Sequence, residues 1–280
     1  MTDTTRKPIT LRTLRAMADA GTPFACLTAY DATTARWLER AGVPVLLVGD
    51  TAAEVVLGLP GTIHCPLDLL LALTAAVKRG APSTLVMGDM PFMSYQTCET
   101  DALRNGGRFL TEGLADVVKL EVDGSWAPLV KKMDRAGIPV VAHIGSRPQR
   151  VKHDGGYRAA GRTRARAAAI VEDAIRLEDA GASMILVEAV PEVVTEQIVE
   201  QTTVPVIGCG AGPACHGQVV VLHDLLGLTD WQPAFAKPLA DLATPLQQAA
   251  SLWIQKVADR DLGTHPYGML DAPVKDPASI

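Results

Sequence analysis

Six times along this chain, a Gly or small residue of the kind that ends helices leads into a short apolar run that stops at a polar residue. Ala41-Gly42-Val43-Pro44 leads into VLLVGD, ending at Asp50, and Arg79-Gly80-Ala81-Pro82 into STLVMGD, ending at Asp89. Glu112-Gly113-Leu114-Ala115 leads into DVVKLE, ending at Glu121, and Ala136-Gly137-Ile138-Pro139 into VVAHIG, which carries His143. Ala180-Gly181-Ala182-Ser183 leads into MILVEA, which carries Glu188, and Thr203-Val204-Pro205 into VIGCGAG. Repeated helix, turn and buried strand is the mark of a parallel α/β sheet. A length of 280 residues matches one (β/α)8 barrel with little decoration. The expected fold is therefore a TIM barrel forming one domain over residues 1–280, with a short N-terminal helix and a C-terminal helical extension. In such a barrel the C-terminal strand ends converge on one mouth, where chemistry sits.

Composition narrows the function classes. Apolar residues make up 48% and aromatics only 4%, so the core is built from Ala, Val, Leu and Ile, as parallel strands under helices require. A net charge of −5 argues against a general nucleic-acid binder, which needs a basic face for phosphates. The five cysteines are scattered without CxxC spacing, which fits a reduced, cytoplasmic setting rather than a disulfide framework or zinc site. The longest apolar stretch, Leu67 to Val77, is broken by Asp68 and is far short of a membrane span. The N-terminus has no apolar signal-peptide region, and Leu11, Leu14 and Met17 are spaced for a short helix packing across a barrel end.

A pass along the chain places the first strand at Phe24–Asp31 and a helix over Thr33–Ala41. A helix led by Pro66 runs to Lys78 with Gly80 as its stop. Ser125 is expected to cap a helix ending at Arg135. An Arg- and Gly-rich loop, Gly145–Gly161, is followed by a helix over Thr163–Asp179, and Pro191 starts a helix to about Thr202. The eighth strand is expected at Val219–Leu222, and a last helix over Pro245–Arg260 with Leu252 and Ile254 buried. The stretch from Gly263 onward is expected to be extended.

The acidic strand ends carry the chemistry. Asp50, Asp89 and Glu121 follow neighbouring strands, with Gly49 and Gly88 clearing space beside two of them. Three converging carboxylates repel one another unless a cation sits among them. Oxygen donors without clustered Cys or His suit Mg2+. Lys119, two residues before Glu121, points to the same side of its strand and suits an acidic substrate or an internal ion pair. Glu188 ends an apolar strand, where desolvation raises a carboxyl pKa toward that of a general base. His143 suits an orienting role. The Gly208–Gly212 turn fits either a phosphate cradle or a tight turn beside a bulky ligand. Likewise, the Gly145–Gly161 loop fits either a lid meeting an anionic ligand or a solvated loop.

The strings LTAYD, VLLVGDT, TAAVKRGAP, GDMPFMSY, VVKLE, GGYRAAGR, LVEAVP, IGCGAG and VLHDLLGL, in order from Leu27 to Leu228, together resemble the ketopantoate hydroxymethyltransferase (3-methyl-2-oxobutanoate hydroxymethyltransferase) family. That resemblance implies a barrel of the phosphoenolpyruvate mutase/isocitrate lyase type. It implies transfer of a hydroxymethyl group from 5,10-methylenetetrahydrofolate to 3-methyl-2-oxobutanoate, giving 2-dehydropantoate for pantothenate synthesis. Carried over residue by residue, it makes Asp50, Asp89 and Glu121 metal-associated acids for Mg2+. Asp50, Thr51, Asp89 and Lys119 become substrate contacts, and Glu188 the proton acceptor. It also implies a homo-oligomer, a decamer in the family. This chain departs from the family at Thr51, where Ser is usual, at Gly58-Leu59-Pro60-Gly61-Thr62, and at Pro213-Ala214-Cys215-His216. All three are expected near the mouth, where they bear on the fit of the oxo acid or the folate. A related Mg-dependent lyase acting on a different 2-oxo acid is the rival reading, but the Lys-Lys-Cys-Gly-His signature of such lyases is missing.

Overall fold

Side chains in a strand alternate between two faces, and in this chain both faces are apolar. That pattern leaves no solvated face, so the sheet must close or be covered on both sides. The computed structural model, which describes residues 7–267, shows closure. The strands are β1 (Phe24–Thr28), β2 (Val45–Val48), β3 (Leu85–Asp89), β4 (Val117–Glu121), β5 (Val140–Gly145), β6 (Met184–Glu188), β7 (Val206–Cys209) and β8 (Gly217–Val220). Each pairs in parallel with the next, and β8 pairs with β1. The helices are α1 (Leu11–Asp19), α2 (Ala32–Arg40), α3 (Ala52–Val55), α4 (Leu67–Gly80), α5 (Glu99–Thr111), α6 (Ala127–Arg135), α7 (Val151–Asp154), α8 (Arg164–Asp179), α9 (Glu192–Gln201), α10 (Leu222–Leu225) and α11 (Ala243–Ala258).

Two cores result. Inside the barrel, Val45 and Leu47, Leu85 and Met87, and Met184 and Leu186 interdigitate with the inward residues of the other strands. Leu14 of α1 is fully buried against the same cluster and seals its N-terminal end. A capping box starts α1, with the Thr10 hydroxyl accepting from Thr13 N–H and the Thr13 hydroxyl from Thr10 N–H, both at 3.2 Å. The larger core lies between strands and helices. There α4 runs through Gly80 rather than stopping before it. A Cβ at Gly80 would lie 2.2 Å from the Ala32 carbonyl oxygen, so only glycine lets α4 approach α2 this closely.

The structure corrects several expected boundaries. β1 ends at Thr28 because Asp31 is the cap of α2, its carboxylate accepting from Thr33 N–H at 2.8 Å and Thr34 N–H at 2.9 Å. Ser125 is not a cap. Asp123 accepts from Ser125 N–H at 3.1 Å and starts a 3-10 turn, Gly124–Trp126, from which α6 follows. β8 lies two residues earlier than expected at its start, and Val221 caps α10 instead of continuing the strand. Between β7 and β8 the chain returns through a short loop, without a helix. The long connection between β3 and β4 contains α5, which the sequence reading did not place.

The largest correction concerns α11. Leu252 and Ile254 were expected to be buried, yet they are 60% and 69% exposed, and no residue of α11 is buried. Leu246 and Trp253 are exposed beside them. Apolar surfaces of this extent are typical of contacts between chains, and the homo-oligomer expected from the sequence would supply such a contact through a second copy. Replacing Leu252 and Ile254 together by Gln is expected to leave the melting temperature of the barrel unchanged and to lower the particle mass in light scattering. An unchanged mass would show that α11 takes no part in subunit contacts.

Candidate active site

The period of two that fills the barrel with apolar residues also sets the mouth. Continuing inward from Leu85 and Met87 comes Asp89, from Val117 come Lys119 and Glu121, from Val141 comes His143, and from Met184 and Leu186 comes Glu188. Each strand is apolar low in the barrel and polar at its C-terminal end. Register then pairs these groups across strands, with Asp89 beside Lys119, Glu121 beside His143, and Glu188 beside Cys209. Together with Asp50 and Thr51 they line one cavity of about 70 Å³.

Lys119 is the hub. Its ammonium lies 2.8 Å from Asp89 Oδ1 and 3.4 Å from His143 Nδ1. Burial alone would lower its pKa, but the carboxylates of Asp89, Glu121 and Asp50 outweigh that and hold it well above the usual range. Asp89 moves upward, through burial and the neighbouring Asp50, against the pull of Lys119. Glu121 also rises well above normal, chiefly from burial. Burial raises both acids first, and the crowding of three carboxylates around one ammonium adds to it. Asp50 N–H donates to Asp89 Oδ2 at 3.0 Å, tying the ends of β2 and β3 together.

His143 is neutral. Burial, then the charges of Lys119 and Arg147, hold its pKa well below the ordinary value. An ammonium can only donate, so Nδ1 facing Lys119 is the acceptor and the ring proton sits on Nε2. Nε2 lies 3.4 Å from Glu188 Oε2, without hydrogen-bond geometry. Glu188 is four-fifths buried, its side chain 20% exposed, and desolvation pushes its pKa up to about 7. Lys119 and a hydrogen bond from the Cys209 thiol pull the other way. Cys209 itself stays protonated, raised first by burial and then by the Glu188 charge.

The sequence reading missed three of these participants. Besides Cys209, they are Gln149 and Tyr95. Gln149 is buried, with its Nε2 donating to Asp50 Oδ2 and Met90 O, both at 3.0 Å. Its backbone N–H donates to Glu121 Oε2 at 2.8 Å, and its Oε1 accepts from Tyr95 Oη at 2.9 Å. Tyr95 Oη in turn accepts from Glu121 N–H at 3.0 Å. The first half of the Gly145–Gly161 segment is therefore pinned into the site through a 3-10 turn, Pro148–Arg150, while residues 152–155 are exposed. Thr51 sits at the mouth with its hydroxyl 2.6 Å from Tyr30 Oη.

Other expectations change place. Gly49 does face the site, where a Cβ would lie 3.0 Å from Thr51 Oγ1 and 3.7 Å from Asp89 Oδ2. Gly88 faces outward, its absent Cβ leaving room for the Phe109 ring of α5 at 2.5 Å. At Gly210 the backbone is left-handed, with φ 62°, and a Cβ would lie 2.4 Å from the Phe235 ring. The Gly208–Gly212 turn is thus a tight turn beside a bulky group, and that group is the chain's own Phe235. Cys215 packs against Gly208, and His216 lies away from the mouth, its Nδ1 accepting from Val206 N–H at 3.0 Å where β7 begins. The Pro213–His216 departure therefore does not touch the site.

The donor set fits a hard divalent cation. Carboxylate oxygens predominate, buried negative charge exceeds buried positive charge, and Glu121 Oε1 is buried without a hydrogen-bond partner. Among the described residues no three His, Cys, Asp or Glu side chains converge to hold an ion unaided. Mg2+ needs only one or two carboxylates and completes its shell with water and substrate oxygens.

The chain is similar to known proteins over most of its length. A family model described as ketopantoate hydroxymethyltransferase matches residues 8–265. The chain is 43% identical to a 3-methyl-2-oxobutanoate hydroxymethyltransferase of Carboxydothermus hydrogenoformans, over 95% of this chain and 96% of the relative. It is 45% identical to the protein of that name from Alkalilimnicola ehrlichii, over 90% and 91% respectively. Solved structures share the fold at low identity. A 2,3-dimethylmalate lyase described as a PEP mutase/isocitrate lyase superfamily member superposes with a TM-score of 0.58 at 16% identity, covering 92% of this chain and 90% of the lyase. A phosphoenolpyruvate phosphomutase from Streptomyces platensis subsp. rosaceus gives 0.61 at 14%, covering 90% and 88%.

Gln149 offers a direct check on the network. Gln149→Leu removes the amide donor to Asp50 and one of the two acceptors of the Tyr95 hydroxyl, the other being the Glu121 carbonyl oxygen. The variant is expected to lose about 2 kcal/mol of stability in urea unfolding. A loss below about 0.5 kcal/mol would show that the contacts at Gln149 add nothing to the fold.

Proposed function

The chain belongs to the ketopantoate hydroxymethyltransferase family, and on that premise we propose that it transfers a hydroxymethyl group from 5,10-methylenetetrahydrofolate to 3-methyl-2-oxobutanoate, giving 2-dehydropantoate. The observation that carries this reading is Glu188. It is a carboxyl raised toward neutrality at the rim of a cavity whose other wall holds Lys119 and the paired acids Asp50 and Asp89. Abstracting a proton beside a ketone needs a base of matched pKa facing a site that stabilises negative charge.

Asp50 and Asp89 would hold Mg2+, with Glu121 alongside, and the bound ion supplies the Lewis acid that stabilises the enolate. Lys119 binds the oxo-acid carboxylate. Two of its three N–H donors are directed at Asp89 and His143, leaving the third for substrate. Thr51, its hydroxyl set by Tyr30, contacts the same substrate. Glu188 takes the proton from C3. Water adds to the folate's methylene carbon and both of its C–N bonds break, releasing tetrahydrofolate and formaldehyde. The electron pair left on C3 attacks the formaldehyde carbon, and its oxygen takes the proton from Glu188 to become the hydroxyl. The Cys209 thiol donates to the Glu188 carboxylate and fixes its direction, and the His143 ring lies beside it. The apolar wall of Leu47, Leu186 and Val219 keeps water from the carbanion. We propose further that the protein works in the cytoplasm as a homo-oligomer.

Solvent deuterium exchange at C3 of 3-methyl-2-oxobutanoate, followed by NMR before folate is added, tests this function. Exchange is expected with Mg2+ and not without it. Glu188→Gln is expected to slow it on the order of 10³-fold while leaving oxo-acid affinity largely intact. A folded, Mg2+-supplied protein that shows no exchange with or without folate would refute the reading.

The pH profile is a further check. Glu188 acts as the carboxylate, and burial raises its pKa, so the exchange rate should rise with pH and level off above about 7. A profile already flat from pH 5 would mean that Glu188 is not the base.

A further inference from the structure

Segment 147–166 carries a charge unlike the rest of the chain. It holds six arginines and Lys152 against a single acid, Asp154, in a protein of net charge −5. Three of those arginines, Arg147, Arg158 and Arg166, line a cavity of about 300 Å³ together with Gly145, Ser146 and Tyr157. Asp154 also lines it, but its carboxylate is engaged by His153 at 2.6 Å and Arg150 at 3.9 Å. Arg147 is anchored by Asp123 at 2.7 Å. Among the described residues no carboxylate pairs with Arg158 or Arg166. Cations gathered along a concave wall without counter-charges raise the local potential and favour an anion.

This cavity adjoins the base. Ser146 N–H donates to the Glu188 carbonyl oxygen at 2.8 Å. At Gly145, where φ is 91°, a Cβ would lie 2.5 Å from that same oxygen. The floor of the basic cavity is thus hydrogen-bonded to the strand end that carries Glu188. Across the mouth, Tyr157 Oη comes within 3.8 Å of the position a Cβ would take at Gly61, so the segment reaches over to the loop after α3.

Size decides what can lie there. The space beside Glu188, Lys119 and Asp50 is about 70 Å³, too small for a pterin, an aminobenzoyl ring and a glutamate chain together. A folate that offers its methylene carbon to this space must lay the rest of itself outside. Another cavity, about 680 Å³ along β1 and β8, is lined by Phe24, Gly210 and Phe235 among others and presents no charged side chain. The basic cavity is the neighbouring space that matches an anionic tail.

We propose that the cavity of Arg147, Arg158 and Arg166 binds the glutamate tail of the folate, an assignment that rests on folate being the one-carbon donor. Arg158 and Arg166 take its carboxylates in charge-assisted, forked hydrogen bonds. Arg147, held by Asp123, adds fixed positive charge at the inner end. Successive glutamates of a longer tail meet the remaining basic residues of the segment.

The test is the KM for mono- and triglutamyl 5,10-methylenetetrahydrofolate, measured on the full chain with Mg2+ and saturating oxo acid. The unmodified protein is expected to favour the triglutamyl form, by a margin that narrows as salt is raised. The Arg158→Gln, Arg166→Gln double variant is expected to raise the triglutamyl KM on the order of tenfold and to lose the tail-length preference, with kcat little changed. Equal KM values for the two forms in the unmodified protein, or a double variant that keeps the preference, would overturn the assignment. Folate-free exchange at C3 separates the two possible failures. Exchange that persists in a protein indifferent to tail length removes only the tail site. An unmodified protein with neither exchange nor turnover removes the hydroxymethyl-transfer reading, and the tail site with it.

Discussion

Three buried carboxylates share one buried ammonium at the mouth of this barrel, and most of the structure around them answers to that imbalance. Charges taken out of water are costly unless each finds a partner. Lys119 reaches Asp89 directly, the Gln149 side chain reaches Asp50, and the Gln149 backbone reaches Glu121. Tyr95 closes the circuit between Gln149 and Glu121. Hydrogen bonds distribute the negative charge without cancelling it. What is left over is a place for a divalent cation and for the charge that develops on an enolate.

The barrel makes this possible by segregating its interior along the strand direction. Low in the barrel, inward positions are Val, Leu and Met, sealed below by Leu14. One further step of the strand period brings Asp89, Lys119, His143 and Glu188 into the same interior, close to solvent at the mouth. Glu188 lies at the boundary between these zones. Its pKa rises because its surroundings are mostly apolar, whereas Asp89 and Glu121 rise partly because they crowd other acids. Environment, not residue type, assigns the base and the metal-associated acids different tasks. The basic segment 147–166 lies just outside, so that opposite charges are kept to opposite sides of the β5 end.

The strand ends were legible in the sequence because the period of two and the turn residues before each strand survive without any tertiary knowledge. Asp50, Asp89, Lys119, Glu121, His143 and Glu188 were all found that way and all line one cavity. Cys209, Gln149 and Tyr95 were not, and each for a physical reason. Cys209 matters only through the β6–β7 register, which a single strand does not specify. Gln149 and Tyr95 sit in connections, where burial depends on how the chain folds back. Gly88 was assigned to the wrong face because glycine does not report which side needs the room. Leu252 and Ile254 were expected inside because apolar spacing on a helix signals a covered face without saying which chain covers it. The 3-10 turn at Pro148–Arg150 was hidden in a stretch whose arginines and glycines read equally as a lid or as a solvated loop.

Calorimetric titration with Mg2+ in the presence of 3-methyl-2-oxobutanoate, repeated in buffers of different ionisation enthalpy, tests the charge imbalance most directly. Crowded, partly protonated carboxylates must give up protons when a cation takes their place. Near pH 7 the expected result is Mg2+ binding that releases roughly one proton, with the release lost in Asp89→Asn. Mg2+ binding with no proton release, or no Mg2+ binding at all, would contradict the account of this mouth as a cation site built from carboxylates in excess.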